Sequence, residues 1–196
     1  MKNFSEIQSL MKSDMEKTDN ILIDRLNSNV DLINQMSHYI IASGGKRLRP
    51  LLLLLSARAT NYVGTDHHAM AVVIELIHTA TLLHDDVVDE STTRRGQDTA
   101  NELWGNAPSV LVGDFLYSRA FEIMVEPNSM AIMRILSKAT NQIAEGEVLQ
   151  LLNIRNANVS QTEYFNVIEQ KTACLFEAAC KIGALLSDSS KKTINS

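Results

Sequence analysis

The stretch AMAVVIELIHTATLL, running straight into HDDVVDE, constrains this chain more than any other feature in it. Residues 67 to 90 read as one long helix that is apolar nearly all round, a pattern that only the middle of a helical bundle can bury. Yet the helix finishes in Asp85, Asp86 and Asp89. On a helix Asp85 and Asp89 share a face, Asp86 flanks them, and like charges at this spacing repel. The negative end of the helix dipole disfavours acids there as well. On a surface helix such a triplet would be a solvated last turn. After so long an apolar run, it implies that a buried helix opens onto a cavity. A divalent cation is one reason to keep acids there, because Mg²⁺ binds through one or two carboxylates plus the phosphates of a substrate.

The remainder of the chain has the same helical character. Eight glycines and three prolines in 196 residues are about half of ordinary usage, and sheets with their turns consume both. Apolar spacing of three and four predicts helices over 5–28, 30–42 and 50–60, then 67–90, 107–125, 129–153 and 160–186. Gly44-Gly45 supplies a stop, Pro50 fits a first helical turn, and Asp66 can cap the long helix. STTRRGQDT reads as a polar loop. No repeat or linker divides 1–196, so the expectation is a single all-α domain. The tail SDSSKKTINS reads as a frayed end or as a loop into a further helix.

Charge narrows the partners. Eighteen basic against 23 acidic residues give a net charge of −5, which argues against nucleic acid. The chain carries no apolar run of about 20 residues, and its first residues do not resemble a signal peptide, so a cytoplasmic protein is expected. Cys174 and Cys180 are six apart on one helix, hence about 600° around it. Two buried free thiols are expected rather than a disulfide or a zinc site.

Three basic elements complement the acids. GGKRLRP at 44–50 combines a Gly-Gly bend, the cations Lys46, Arg47 and Arg49, and a helix start that favours anions. Arg94-Arg95 follows Asp89 closely. Lys171-Thr172 lies within an amphipathic helix. Each alone is weak, but beside carboxylates on a buried helix end they describe a diphosphate site. His78 lies seven residues before Asp85, on its face, and is either a core histidine or a polar group of that site. His84-Asp85 is also a pairing used by metal phosphohydrolases, although His38 and His67-His68 do not complete a metal set.

GGKRLRP, LLHDDVVDESTTRRG, GDFLYSRAF, IAEGEVLQ and KTACLFEAA, in this order, resemble the trans-polyprenyl diphosphate synthases, with the strongest likeness to the bacterial octaprenyl type that makes quinone side chains. The resemblance covers essentially the whole chain. It implies the isoprenoid synthase helical bundle around a central cavity, and a homodimer that approaches membranes only through its product. It assigns Mg²⁺ to Asp85 and Asp89, with Asp86 alongside. Arg94, Lys171 and Thr172 are similar to residues that hold the allylic diphosphate, for which farnesyl diphosphate is the expected primer. Lys46, Arg49, His78 and Arg95 are similar to the isopentenyl diphosphate site. The implied reaction is ionisation of the allylic diphosphate, condensation and proton loss, with no protein nucleophile. Small residues before the first aspartate motif, here Ala80 and Thr81, imply an open tunnel and a medium or long product. Met124 is either the tunnel floor or a core methionine.

In one respect the sequence departs from that family. The second aspartate-rich motif belongs well beyond the Lys-Thr pair, and nothing after Thr172 contains it; Asp188 stands alone. The resemblance therefore implies the N-terminal three-fifths of a synthase, one that by itself would ionise substrate poorly or not at all. Two other readings remain open: a non-catalytic partner subunit of a heteromeric synthase, and a helical metal-dependent phosphohydrolase.

Overall fold

A computed structural model describes residues 3–187; what was expected of the tail from Asp188 onward lies outside them. The protein is all-α, as its composition predicts. Its elements are α1 (Phe4–Leu10), α2 (Lys12–Arg25), α3 (Asp31–Ala42), α4 (Leu48–Ala59), α5 (Asp66–Val88), a short hairpin of β1 (Thr93–Arg94) and β2 (Gln97–Asp98), α6 (Ala100–Trp104), α7 (Asn106–Met124), α8 (Met130–Leu152), α9 (Gln161–Ile168) and α10 (Cys174–Leu185). Among the described residues no helix is long and apolar enough to cross a membrane.

The apolar run does lie at the centre. Met70 through Ile74, with Leu76, Ile77 and Ala80, are sealed from solvent on α5. Each large side chain buried this way contributes about 2 kcal/mol. α7 packs along α5, while α10 packs on α4. Gly183 makes the second contact possible, because a Cβ there would stand 2.4 Å from the Leu53 carbonyl oxygen. At the far end of α5, Asp14 of α2 ties three helices together. Arg58 of α4 grips both its oxygens, through Nε at 2.9 Å and Nη2 at 2.7 Å, and His68 Nε2 lies 3.0 Å from Oδ1. His67 is enclosed beside them without a hydrogen bond, and burial lowers it to about 4.

Several local expectations are corrected. Residues 5–28 are two helices, because Met11 leaves helical geometry at φ −97° and ψ 5°. Asp66 does not cap α5 but begins it, after Thr65. The loop at 91–99 contains the hairpin. Its two-residue turn, Arg95-Gly96, has positive φ at both positions, +55° and +79°, as the twist of a tight hairpin requires. Residues 160–186 are not one α-helix; Glu169–Ala173 form a π-helical turn between α9 and α10. Of the two free cysteines, Cys174 is buried as expected but Cys180 is exposed.

Candidate active site

α5 delivers its acids to two different surroundings. Asp85 faces a cavity of about 750 Å³ between α5, α7 and α8, lined also by Thr81, Tyr117, Ile143, Ala144 and Glu147. Lys171 reaches across, its Nζ 3.3 Å from Asp85 Oδ2 and 2.7 Å from Glu147 Oε2. Burial pushes both carboxyls above the ordinary carboxylate range, against the pull of Lys171. Burial also raises the Tyr117 phenol, helped by these two acids, to about 12. The π-helical turn is what aims Lys171. It widens the helix by one residue just where the side chain must leave for the cleft, a common device at functional sites. Gly146 lets α8 come against that turn, since a Cβ there would stand 2.8 Å from the Lys171 backbone nitrogen.

Asp86 points elsewhere. It is 4% exposed, and Arg94 holds it through Nε, 3.0 Å from both oxygens, and Nη2 at 2.7 Å from Oδ1. Asp89 ends α5 and is exposed, its N–H donating to the Asp85 carbonyl at 2.8 Å. Asp85 at the cavity and the exposed Asp89 one turn further on thus offer hard oxygen donors on one helix face, a set that suits Mg²⁺, while Asp86 is already engaged.

A second cavity, about 450 Å³, lies two helical turns back along α5, between it and the start of α4. Lys46, Arg47, Arg49 and Arg95 line it, with Glu75 and His78. Arg47 adopts φ +48° before α4 and pairs with Glu75 at 2.8 Å. Arg95 lies over Gly45, where a Cβ would be 2.7 Å from its Nη1. Arg49 Nη1 is 3.1 Å from His78 Nε2. Arginine has only donors, so this His78 nitrogen is the acceptor and the ring is neutral. Burial, reinforced by Arg49, lowers His78 to about 3. Four cations against one acid make this an anion pocket.

The sequence profile of the polyprenyl synthetase family matches residues 30–196. The chain belongs to that family. Among its curated relatives, octaprenyl diphosphate synthase of Escherichia coli is 50% identical over 185 residues, 94% of this chain and 57% of the relative. The same enzyme of Haemophilus influenzae is 48% identical, with 94% of this chain and 56% of the relative covered. The solved polyprenyl synthase of Caulobacter crescentus, complexed with calcium and isoprenyl diphosphate, superposes with a TM-score of 0.96 at 45% identity, over 98% of this chain and 59% of that one. The chain therefore spans a little under three-fifths of these relatives, and its fold is the all-α fold of the polyprenyl synthases.

Against this family background, most expected site residues fall into three groups. Asp85 and Lys171 meet directly. Lys46, Arg49, His78 and Arg95 line the anion pocket together. Asp86 and Arg94 pair with each other. Thr172 is exposed and, beside Lys171, lines a separate cavity of about 560 Å³ with α8 and α9 residues. Thr81 lines the large cavity, whereas Ala80 and Met124 pack in the core and are not among the residues that line it. Glu147 was missed. In IAEGEVLQ it is one acid of two on a helix, and its partner is 24 residues away. Glu75 was missed too; an acid within a wholly apolar run was the available signal.

Proposed function

We propose that these residues form the substrate site of a prenyltransferase that elongates an allylic diphosphate with isopentenyl diphosphate, giving a medium or long all-trans product for quinone side chains. The observation that carries this reading is the pairing of two sites on one face of α5. Asp85 and Lys171 lie at one cavity and a four-cation pocket lies at the other, separated by the seven residues from His78 to Asp85, about 10 Å along the helix. Two diphosphates held so far apart bring their reactive carbons together between them.

Asp85 and Asp89 would hold Mg²⁺, which stabilises the departing pyrophosphate. Lys171 and Arg94 hold the allylic diphosphate, and Asp86 keeps Arg94 in position, whereas Thr172 faces the separate cavity beside α9. Lys46, Arg49 and Arg95 bind the diphosphate of the second substrate, with His78 fixing Arg49. The phosphate charges are thereby met by preorganised cations as the allylic C–O bond ionises. Val88, Ile143, Ala144 and Tyr117 line the tunnel and keep water from the cation. The small Thr81 leaves space for the growing chain. The working form is a homodimer.

Two features disfavour the other readings. His67 and His68 gather with Asp14 at the opposite end of α5 from Asp85, roughly 25 Å along the axis, so the histidine–aspartate cluster they form is separate from the Asp85 cavity. A purely supporting subunit has no need of Asp85, Asp89, Arg94 and Arg95 together. The test is incubation of the protein at the full length of its relatives, beside the present chain, with farnesyl diphosphate, isopentenyl diphosphate and Mg²⁺. Elongated prenyl diphosphates are expected from the full-length protein; none, with or without a partner subunit, would sink the assignment.

A further inference from the structure

Glu147 enters the cleft from α8 and has no part in the reaction as assigned above. Its Oε2 accepts from Lys171 Nζ at 2.7 Å, while Asp85 Oδ2 stands 3.3 Å from the same nitrogen. The ammonium is therefore seated on Glu147 and only leans on Asp85. Backbone packing sets this bias, since the close approach at Gly146 brings Glu147 against the π-helical turn that carries Lys171. Glu147 Oε1 is buried without a hydrogen-bond partner, and the Glu147 carboxyl lies against that of Asp85 as well as against Lys171.

The consequence concerns Asp85. An ammonium fully paired with a carboxylate neutralises it and repels a second cation, and at this degree of burial the effect is weakly screened. Without Glu147, Lys171 would have Asp85 as its nearest acceptor and would close on it. We propose that Glu147 is a positioning residue that draws Lys171 off Asp85 and so leaves Asp85 available to a divalent cation. This rests on the assignment of Asp85 as a metal ligand, and the experiment separates the two.

Mn²⁺ binding is measured by electron paramagnetic resonance and calorimetry, without substrate, on this chain and on the full-length protein. Circular dichroism checks that each variant is folded. Asp85→Asn is expected to weaken binding; if it does not, the assignment of Asp85 fails, and the inference falls with it. With that assignment standing, Glu147→Ala is expected to weaken Mn²⁺ binding at least five-fold. Glu147→Gln should act in the same direction, because an amide does not hold an ammonium as a carboxylate does. Adding Lys171→Met to Glu147→Ala should return binding to the wild-type level or tighter. Unchanged or tighter binding in Glu147→Ala overturns the proposal. Failure of the double variant to recover also overturns it, because Glu147 would then be a ligand in its own right.

Discussion

Arg94 covers both oxygens of Asp86, with Nε 3.0 Å from each and Nη2 2.7 Å from Oδ1. The pair is lopsided, because the Asp86 side chain is 6% exposed and that of Arg94 is 38% exposed. Removing the arginine strands a buried carboxylate, whereas neutralising the aspartate releases a guanidinium that water can reach. Arg94→Met should therefore destabilise the protein by about 3 kcal/mol. Asp86→Asn should cost less, on the order of 1 kcal/mol. Guanidinium unfolding curves of the two variants give the comparison; equal losses would contradict the geometry.

Gly183 offers a second stability test. A Cβ there meets the Leu53 carbonyl oxygen at 2.4 Å and the Ala57 nitrogen at 2.9 Å. Both are helical backbone and cannot turn aside. Gly183→Ala should push α10 from α4 and cost roughly 2 kcal/mol, lowering the melting temperature by several degrees. An alanine at this position ordinarily favours a helix, so an unchanged or raised melting temperature would mean that the crossing is looser than the structure has it.

His67 makes stability depend on pH in the acidic window between about 6.5 and 4. It is enclosed and neutral, with its pKa lowered by burial from 6.5 to about 4. The folded state binds fewer protons than the unfolded state between those values. The contribution is thus fully present above pH 6.5 and is lost as pH falls toward 4, by at most about 1.4 kcal/mol per pH unit. Urea midpoints between pH 7 and pH 4.5 should fall more steeply for the native sequence than for His67→Gln. Parallel slopes would show that His67 takes up its proton in place.

Product length provides a test in the full-length protein. Thr81 lines the large cavity and its hydroxyl donates to the His78 carbonyl at 2.7 Å. Thr81→Phe should fill part of the tunnel and shorten the products, read by chromatography of the dephosphorylated alcohols. Ala80 is sealed in the core, so Ala80→Phe should first lower stability, by about 1–3 kcal/mol. Unaltered products from a folded Thr81→Phe enzyme would place the tunnel elsewhere.

Much of the fold was legible because helix periodicity is a local property. The capping boxes at Asn3–Glu6 and Ser160–Glu163 are likewise written in consecutive residues and start α1 and α9. The π-helical turn left no such mark, since EQKTACLF is ordinary helix-forming sequence and the extra residue is accommodated by the close approach of α8. The hairpin at Arg95-Gly96 was signalled weakly, by one glycine after two arginines. Cys180 was expected inside, yet its neighbours on α10 are buried and it is not; six residues of helix separate faces, and only packing shows which face turns outward.

The sequence by itself determined that this chain is helical, that α5 lies at the centre, and that acids at its end are accompanied by basic segments elsewhere in the chain. Those conclusions follow from the 3.6-residue period and from the expense of burying charge, which are properties of short stretches. Which cation meets which acid was decided by the tertiary structure. Asp85 and Asp86 are adjacent, but the helix turns them about 100° apart, one toward Lys171 and Glu147 on α8's side and the other toward Arg94. That division depends on where α8 and the hairpin pack, and contacts across 8 to 86 residues of chain leave no trace in the local pattern.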